Sequence, residues 1–310
     1  FVKIYNKVMA LQELDNSNIS THLGQSSSYS GQYDKSLLVR EPRQSNRTYL
    51  NINEGDELPF HGCDVWNGYE VSCLTNTGKP VAAIAKVVYP CNSKYIVESK
   101  SMKLYWNSFN MTNMGDNDLQ AMDEMAKHAI EDLSELLETD VQVHLQYPDA
   151  EPSVPVIRDV ESFTHLEISC SEDINCDTFT ETPDLLELED IGTSDVRRFK
   201  SNLLKSNCRV TSQPDWGDVF IGIRGSKIPT IDSLLKYIVS FRDECHFHEE
   251  ICECIYKRLW DICSPEELTV TCLYVRRGGW DINPHRVSHE YLYNNELADV
   301  GEMFSKQARQ

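Results

Sequence analysis

The hydrophobic pattern of this chain starts late. Its first forty-odd residues are rich in Ser, Asn, Gln and Tyr with little periodicity, and residues 1–45 read as a polar arm lying across the surface, without chemistry of its own. From Glu57 onward the pattern becomes strand-like. Residues 64–73 and 80–88, the second containing Val-Ala-Ala-Ile-Ala-Lys-Val-Val, flank the turn-forming Asn76-Thr77-Gly78 and predict a hairpin. Residues 116–137 then carry apolar side chains at Leu119, Met122, Met125, Ala126, Ala129, Ile130, Leu133 and Leu137, a helical period with Asp116 or Asn117 as N-cap. Residues 141–145 alternate again as a strand.

Residues 148–195 hold several prolines and many acids, interrupted by a strand-like stretch at 163–169, and read as an acidic connecting region. The second half repeats the order of the first. A strand at 219–223 precedes a short helix near 231–241, a longer helix at 248–262 and a strand at 268–274. The repetition lies in element order and not in residue identity. It predicts an α+β fold of two related units, 46–150 and 196–310 joined through 151–195, each an antiparallel sheet with helices on one face.

Charge narrows the choice of partner. With 49 acidic against 29 basic residues the chain carries a formal charge of -20, the wrong sign for holding a phosphate backbone. A nucleic-acid polymer is therefore not expected as a direct substrate, while a small substrate with a phosphate needs a local basic patch such as Arg276 and Arg277. No membrane span and no secretory signal are read in the chain, and a cytoplasmic location is expected. Eleven cysteines, an odd number without regular spacing, fit reduced thiols, most of them small buried hydrophobes.

Four segments combine residue types that do chemistry. In Ser206-Asn207-Cys208-Arg209-Val210-Thr211-Ser212-Gln213-Pro214-Asp215-Trp216-Gly217, Arg209 would favour the Cys208 thiolate and Asp215 would donate a proton if burial raised its pKa. A buried structural cysteine before a Pro-Asp turn explains the same residues. Val97-Glu98-Ser99-Lys100-Ser101-Met102-Lys103-Leu104-Tyr105 lies at a strand-to-helix junction. Glu98 suits the N–H pair of a heterocycle and Ser99 with Lys100 a phosphate, although a helix start with a solvated face fits too. Glu244-Cys245-His246-Phe247-His248-Glu249-Glu250 opens a helix whose apolar face is Phe247, Ile251, Ile255, Leu259 and Ile262. His248 and Glu249 there offer a proton shuttle and a substrate-orienting acid. Cys245, His246, His248, Cys252 and Cys254 invite a zinc reading, but their spacing departs from paired Cys-x-x-Cys sites and no metal is expected. Finally, Tyr274-Val275-Arg276-Arg277-Gly278-Gly279 ends a strand with two guanidinium groups and two glycines, suited to close approach of a phosphate. There is no Gly-x-Gly-x-x-Gly after a strand and no Walker loop.

Taken in order, these segments resemble the NADPH-dependent 7-cyano-7-deazaguanine reductases, the QueF family, in its longer two-unit form. The resemblance runs from about Tyr33 to Arg286. It includes Gly55-Asp56-Glu57-Leu58-Pro59-Phe60, the stretch from Glu98 to Asn110, Cys208 through Gly217, Phe247-His248-Glu249, and Arg276-Arg277-Gly278-Gly279 through Asp281-Ile282-Asn283-Pro284. It implies two tandem tunnelling-fold (T-fold) units per chain and a homodimer. It implies that Cys208 attacks the nitrile carbon to give a thioimide, that Asp215 protonates the nitrile nitrogen, and that two NADPH complete the reduction to 7-aminomethyl-7-deazaguanine on the way to queuosine in tRNA. By the same resemblance Val97, Glu98, Ser99, His248 and Glu249 contact the substrate, His248 also shuttling protons, and Ser99, Lys100, Arg277 and Gly278 contact NADPH. With Glu98 in the first unit and Cys208 in the second, the site is expected to assemble between units. The competing expectations are a T-fold amidinotransferase using the same cysteine, a zinc cyclohydrolase built around Cys245, and a catalytically silent binder of purine-like heterocycles.

Overall fold

The hairpin forms and extends beyond its alternating core. Strand β1 (His61–Thr75) turns through Gly78, whose φ of +82° suits a residue without a side chain, into β2 (Pro80–Pro90). Val81, Ala83, Ala85, Val87 and Tyr89 point to one face and Val88 to the other, the period of two expected for a strand buried on both sides. Helix α1 (Gln44–Tyr49) precedes this hairpin, and α2 (Ser99–Ser108) and α3 (Asp118–Leu137) follow it. Of the two candidate caps Asn117 does the capping, its side chain accepting the Gln120 N–H. The half closes with β3 (Gln142–Gln146).

The second half comprises β4 (Val196–Asn207), β5 (Pro214–Arg224), α4 (Ile231–Ser240), α5 (His248–Cys263), β6 (Glu267–Tyr274) and β7 (Trp280–Val287). The computed structural model describes residues 31–310 apart from 153, 303 and 306–309. Most of the arm expected over 1–45, residues 1–30, thus lies outside the described residues. Its remainder packs into the protein: the Tyr33 hydroxyl donates to Asp132 at 2.6 Å and Arg43 is buried.

The two halves share one nine-stranded sheet. Its order is β3-β2-β1-β7-β6-β5-β4, with Thr164–His165 added parallel to β4 and Asn113–Gly115 parallel to the end of β1, and all other pairings antiparallel. The stretch read as a strand at 163–169 is strand only at Thr164–His165 and continues as a helical turn, Leu166–Ser169. The seam between halves is β1 against β7, in register from His61↔Val287 to Gly68↔Trp280. Two glycines permit it. A Cβ on Gly62, at φ +151°, would lie 1.9 Å from the His285 carbonyl oxygen, and one on Gly68 would lie 2.3 Å from the Trp280 ring.

The helices cover one face of this sheet, α2 and α3 over the first half and α4 and α5 over the second, around two apolar clusters. The opposite face is partly covered by Val156, Ile157 and Leu297, packed on Val65, Val88, Phe220 and Leu273. Under the seam sits a buried ionic network: Arg43 and Arg286 pair with Asp64, and Arg43, Arg47 and Arg286 with Glu253. Such a network is intolerant of losing one partner, because a charge left alone in the interior has no solvent to replace it. It ties α1, β1, α5 and β7 together directly behind the site.

Candidate active site

Three segments distant in sequence meet at the helix-side end of the seam. Val97 closes a short strand, Tyr95–Val97, and Ser99 opens α2; Cys208 and Asp215 flank the loop between β4 and β5; His248 and Glu249 open α5. Together with Trp66, His246, Phe247 and Ile282 they line one narrow cleft, with side chains from both halves of the chain.

The Cys208 thiol is buried, and its Sγ lies 3.6 Å from Lys100 Nζ. Burial by itself would raise its pKa. Hydrogen bonds from the Thr211 side chain and from the Thr211 and Val210 backbone N–H groups, with the Lys100 charge, outweigh burial and hold the thiol below its ordinary value. The loop is folded for this purpose: Cys208 N–H donates to the Gln213 carbonyl at 2.8 Å, Ser212 N–H donates back to the Cys208 carbonyl at 2.9 Å, and Ser212 takes a φ of +53°. The cation beside the thiol is therefore Lys100 and not Arg209. Arg209 instead pairs with Glu250 at 2.7 Å and lies over the Phe247 ring.

Asp215 is buried between the Arg277 guanidinium and the His248 imidazole. Arg277 donates to its Oδ1, and His248 Nε2 lies 3.4 Å from its Oδ2. Burial pushes its pKa up, but His248 and then Arg277 together bring it below the usual carboxylate range. The condition for Asp215 to donate a proton, that burial raise its pKa, is not met in the free protein: the pairing outweighs the burial and Asp215 is a carboxylate here. The His248 ring stacks on Tyr274, centroids 3.9 Å apart, which fixes its plane over the cleft.

The two glutamates differ. Glu249 faces the cleft, with Tyr89 Oη 3.4 Å from its Oε1. Burial, then the Asp64 charge, push it up to about 8 against the pull of Arg43 and Arg286. Glu98 is the N-cap of α2 and accepts the backbone N–H groups of Lys100 and Ser101 at 2.7 to 3.0 Å. Its backbone sits between Val97 and Ser99, both of which line the cleft.

Arg277 and Gly278 border the site, Gly278 at φ +56° with room for a Cβ only 3.1 Å from Lys103 Cδ. Lys103 itself carried no role in the sequence argument. Burial, then Arg277 and Lys100, bring its pKa down to about 8. The signal was present in the same Lys-x-x-Lys stretch, since residues three apart on a helix share a face. His246, which the sequence offers only as one of the five candidate zinc ligands, also lines the cleft. Its burial is outweighed by Glu244 and Glu250, which raise it to about 9.

The five residues considered for zinc do not converge. Cys252 Sγ contacts the carbonyls of Val270 and Pro284 in the core, Cys254 lies against Tyr237, and Cys245 is exposed. Among the described residues no group of three His, Cys, Asp or Glu side chains is placed to hold a metal ion.

The fold and cleft thus define an α+β protein with a cation-supported cysteine and a paired His–Asp couple set between two antiparallel halves. Residues 29–145 match the family model described as nitrile reductase, 7-cyano-7-deazaguanine-reductase N-term, and residues 214–292 match that of QueF-like protein. The chain is 41% identical over 270 residues, 86% of its length and 91% of the relative's, to the NADPH-dependent 7-cyano-7-deazaguanine reductase of Colwellia psychrerythraea. The protein of the same name from Ralstonia nicotianae is also 41% identical, over 90% of this chain and 96% of its own. The chain belongs to the 7-cyano-7-deazaguanine nitrile reductase family.

Proposed function

We propose that the protein reduces the nitrile of 7-cyano-7-deazaguanine to the aminomethyl group with NADPH, through a thioimide on Cys208. The observation that carries this reading is the Cys208 thiol, lowered in pKa beside Lys100, in the same cleft as the His248–Asp215 couple and Glu249. A nitrile is a weak electrophile, and a thiolate that adds to its carbon converts it into a better hydride acceptor.

In this reading Cys208 attacks the nitrile carbon as the nitrogen takes a proton. His248 delivers that proton, because Asp215 is ionised in the free protein and serves to orient the imidazole. After the first reduction the carbon–sulfur bond breaks, Cys208 leaves as thiolate and an imine remains for the second. Glu249 accepts the ring N–H and exocyclic amine of the base, with Val97, Ser99 and His248 around it, and Glu98 sets the backbone from which Val97 and Ser99 reach the ligand.

NADPH fits the border of the cleft. Lys100, Lys103 and Arg277 crowd like charges near Gly278, a cluster that a phosphate relieves. When bound, NADPH supplies hydride, two equivalents for the four-electron reduction. A homodimer and a cytoplasmic location go with this reading, and all eleven cysteines being free supports a reducing compartment. Among the described residues no helix is long and apolar enough to cross a membrane.

The test is to mix the protein with 7-cyano-7-deazaguanine, follow thioimide absorbance, then add NADPH and follow its oxidation. Adduct and oxidation are expected from the wild type and neither from Cys208→Ala. Adduct without oxidation refutes the reductase, and an adduct that survives Cys208→Ala refutes the nucleophile.

A further inference from the structure

Behind Glu249 stands Tyr89, a residue with no part in the reading above. It sits on β2 opposite Asp64 of β1 and is 1% exposed. Its hydroxyl is 3.2 Å from the indole Nε1 of Trp66 and 3.4 Å from Glu249 Oε1. Trp66, from the first half, and Glu249, from the second, both line the cleft, so this one hydroxyl bridges two walls of the site.

The direction of the bonds is set by chemistry. Indole nitrogen only donates, so Trp66 occupies a lone pair of the Tyr89 oxygen and the phenolic hydrogen is left for an acceptor. Glu249 Oε1 is that acceptor. We infer that Tyr89 is a positioning residue that, through its hydroxyl, aims the Glu249 carboxylate at the donor edge of the substrate base. The inference rests on the substrate reading given above.

Two consequences follow for binding. A donor held on Oε1 fixes the carboxylate plane and leaves Oε2 toward the ligand. It also favours the ionised carboxylate, the form that accepts two N–H groups at once, against burial and the negative charge of Asp64. Other charged or titratable groups around Glu249 are Arg43 from the segment before α1, Arg286 on β7, Tyr274 on β6 and, in the same cleft, Cys208, Asp215, His246 and His248. Among the described residues none of these groups reaches Oε1 within hydrogen-bonding distance, whereas Tyr89 does.

The experiment measures reversible binding in a Cys208→Ala background, titrating 7-cyano-7-deazaguanine and an analogue without the 2-amino group by calorimetry from pH 6 to 9. Tyr89→Phe is expected to weaken the parent ligand about tenfold, to narrow the preference over the analogue, and to move the acidic fall in affinity to higher pH. Added to Glu249→Gln, it is expected to change nothing further. Unchanged affinity, preference and pH profile overturn the inference. So does an equal loss for both ligands with the profile unmoved, which marks a role in packing alone. If Tyr89→Phe does not fold, 3-fluorotyrosine at position 89 keeps the ring and donates more strongly. Tighter binding is then expected, and unchanged or weaker binding overturns the inference. Failure of wild type and Cys208→Ala alike to bind either ligand overturns the substrate reading, and the inference with it.

Discussion

Removing the Lys100 charge gives the most direct measure of how the site prepares its nucleophile. Lys100→Met keeps the aliphatic stem and deletes the cation 3.6 Å from Cys208 Sγ. Two unit charges at about 4 Å interact by about 1 kcal/mol in water and about 4 kcal/mol near a protein surface. Cys208 is buried, but Lys100 is partly exposed and lowers the thiol pKa less than the Thr211 and Val210 hydrogen bonds do, so the lower limit of about 1 kcal/mol is appropriate, corresponding to ~5-fold less thiolate at a fixed pH below the thiol's midpoint. The Thr211 and Val210 hydrogen bonds remain in the variant, so the thiol keeps part of its activation. The assay is the rate of alkylation by iodoacetamide as a function of pH, in a Cys245→Ser background because Cys245 is exposed, with Cys208→Ala as the blank. A Lys100→Met protein that alkylates at the parent's rate across the range would refute the claim that this lysine holds the thiolate.

Two further outcomes follow from the geometry. Gly62→Ala places a Cβ on the His285 backbone at the seam, where neither partner can give way; a loss of about 3 kcal/mol or more is expected in urea unfolding, and a loss under 1 kcal/mol would show that the two halves do not depend on this register. His246 is raised in the folded state to about 9 from 6.5, so its contribution is complete below pH 6.5 and disappears as pH rises through about 9. The stability gap between wild type and His246→Gln should therefore be about 1–3 kcal/mol at pH 6 and close by pH 9.5, and a gap independent of pH would refute the Glu244–His246–Glu250 pairing as its source.

Much of this protein can be read from local pattern. The periods of two in β1 and β2 and the 3.6-residue period of α3 and α5 are local consequences of which residues must be buried, and they identify these elements without reference to distant parts of the chain. Cys208, Asp215, His248, Glu249, Ser99, Lys100, Arg277 and Gly278 also stand in recognisable segments.

Other features depend on tertiary contact. β7, Trp-Asp-Ile-Asn-Pro-His-Arg-Val, carries no strand signature, because its Asp281, Asn283, His285 and Arg286 are buried against partners on β1, β6 and α5. Its position makes two apparent sheets into one. Residues 31–45 look polar, yet Arg43 is buried because Asp64 and Glu253 await it from far along the chain. The same cause governs the electrostatics of the site. Neither the depressed pKa of Asp215 nor the raised pKa of Glu249 follows from neighbours in sequence, since Arg277 reaches the first across 62 residues and Asp64 acts on the second from the opposite half. Residue type supplies the chemistry that a side chain can do, and folding decides which charge state it holds, because that depends on distance through space and on exclusion of water.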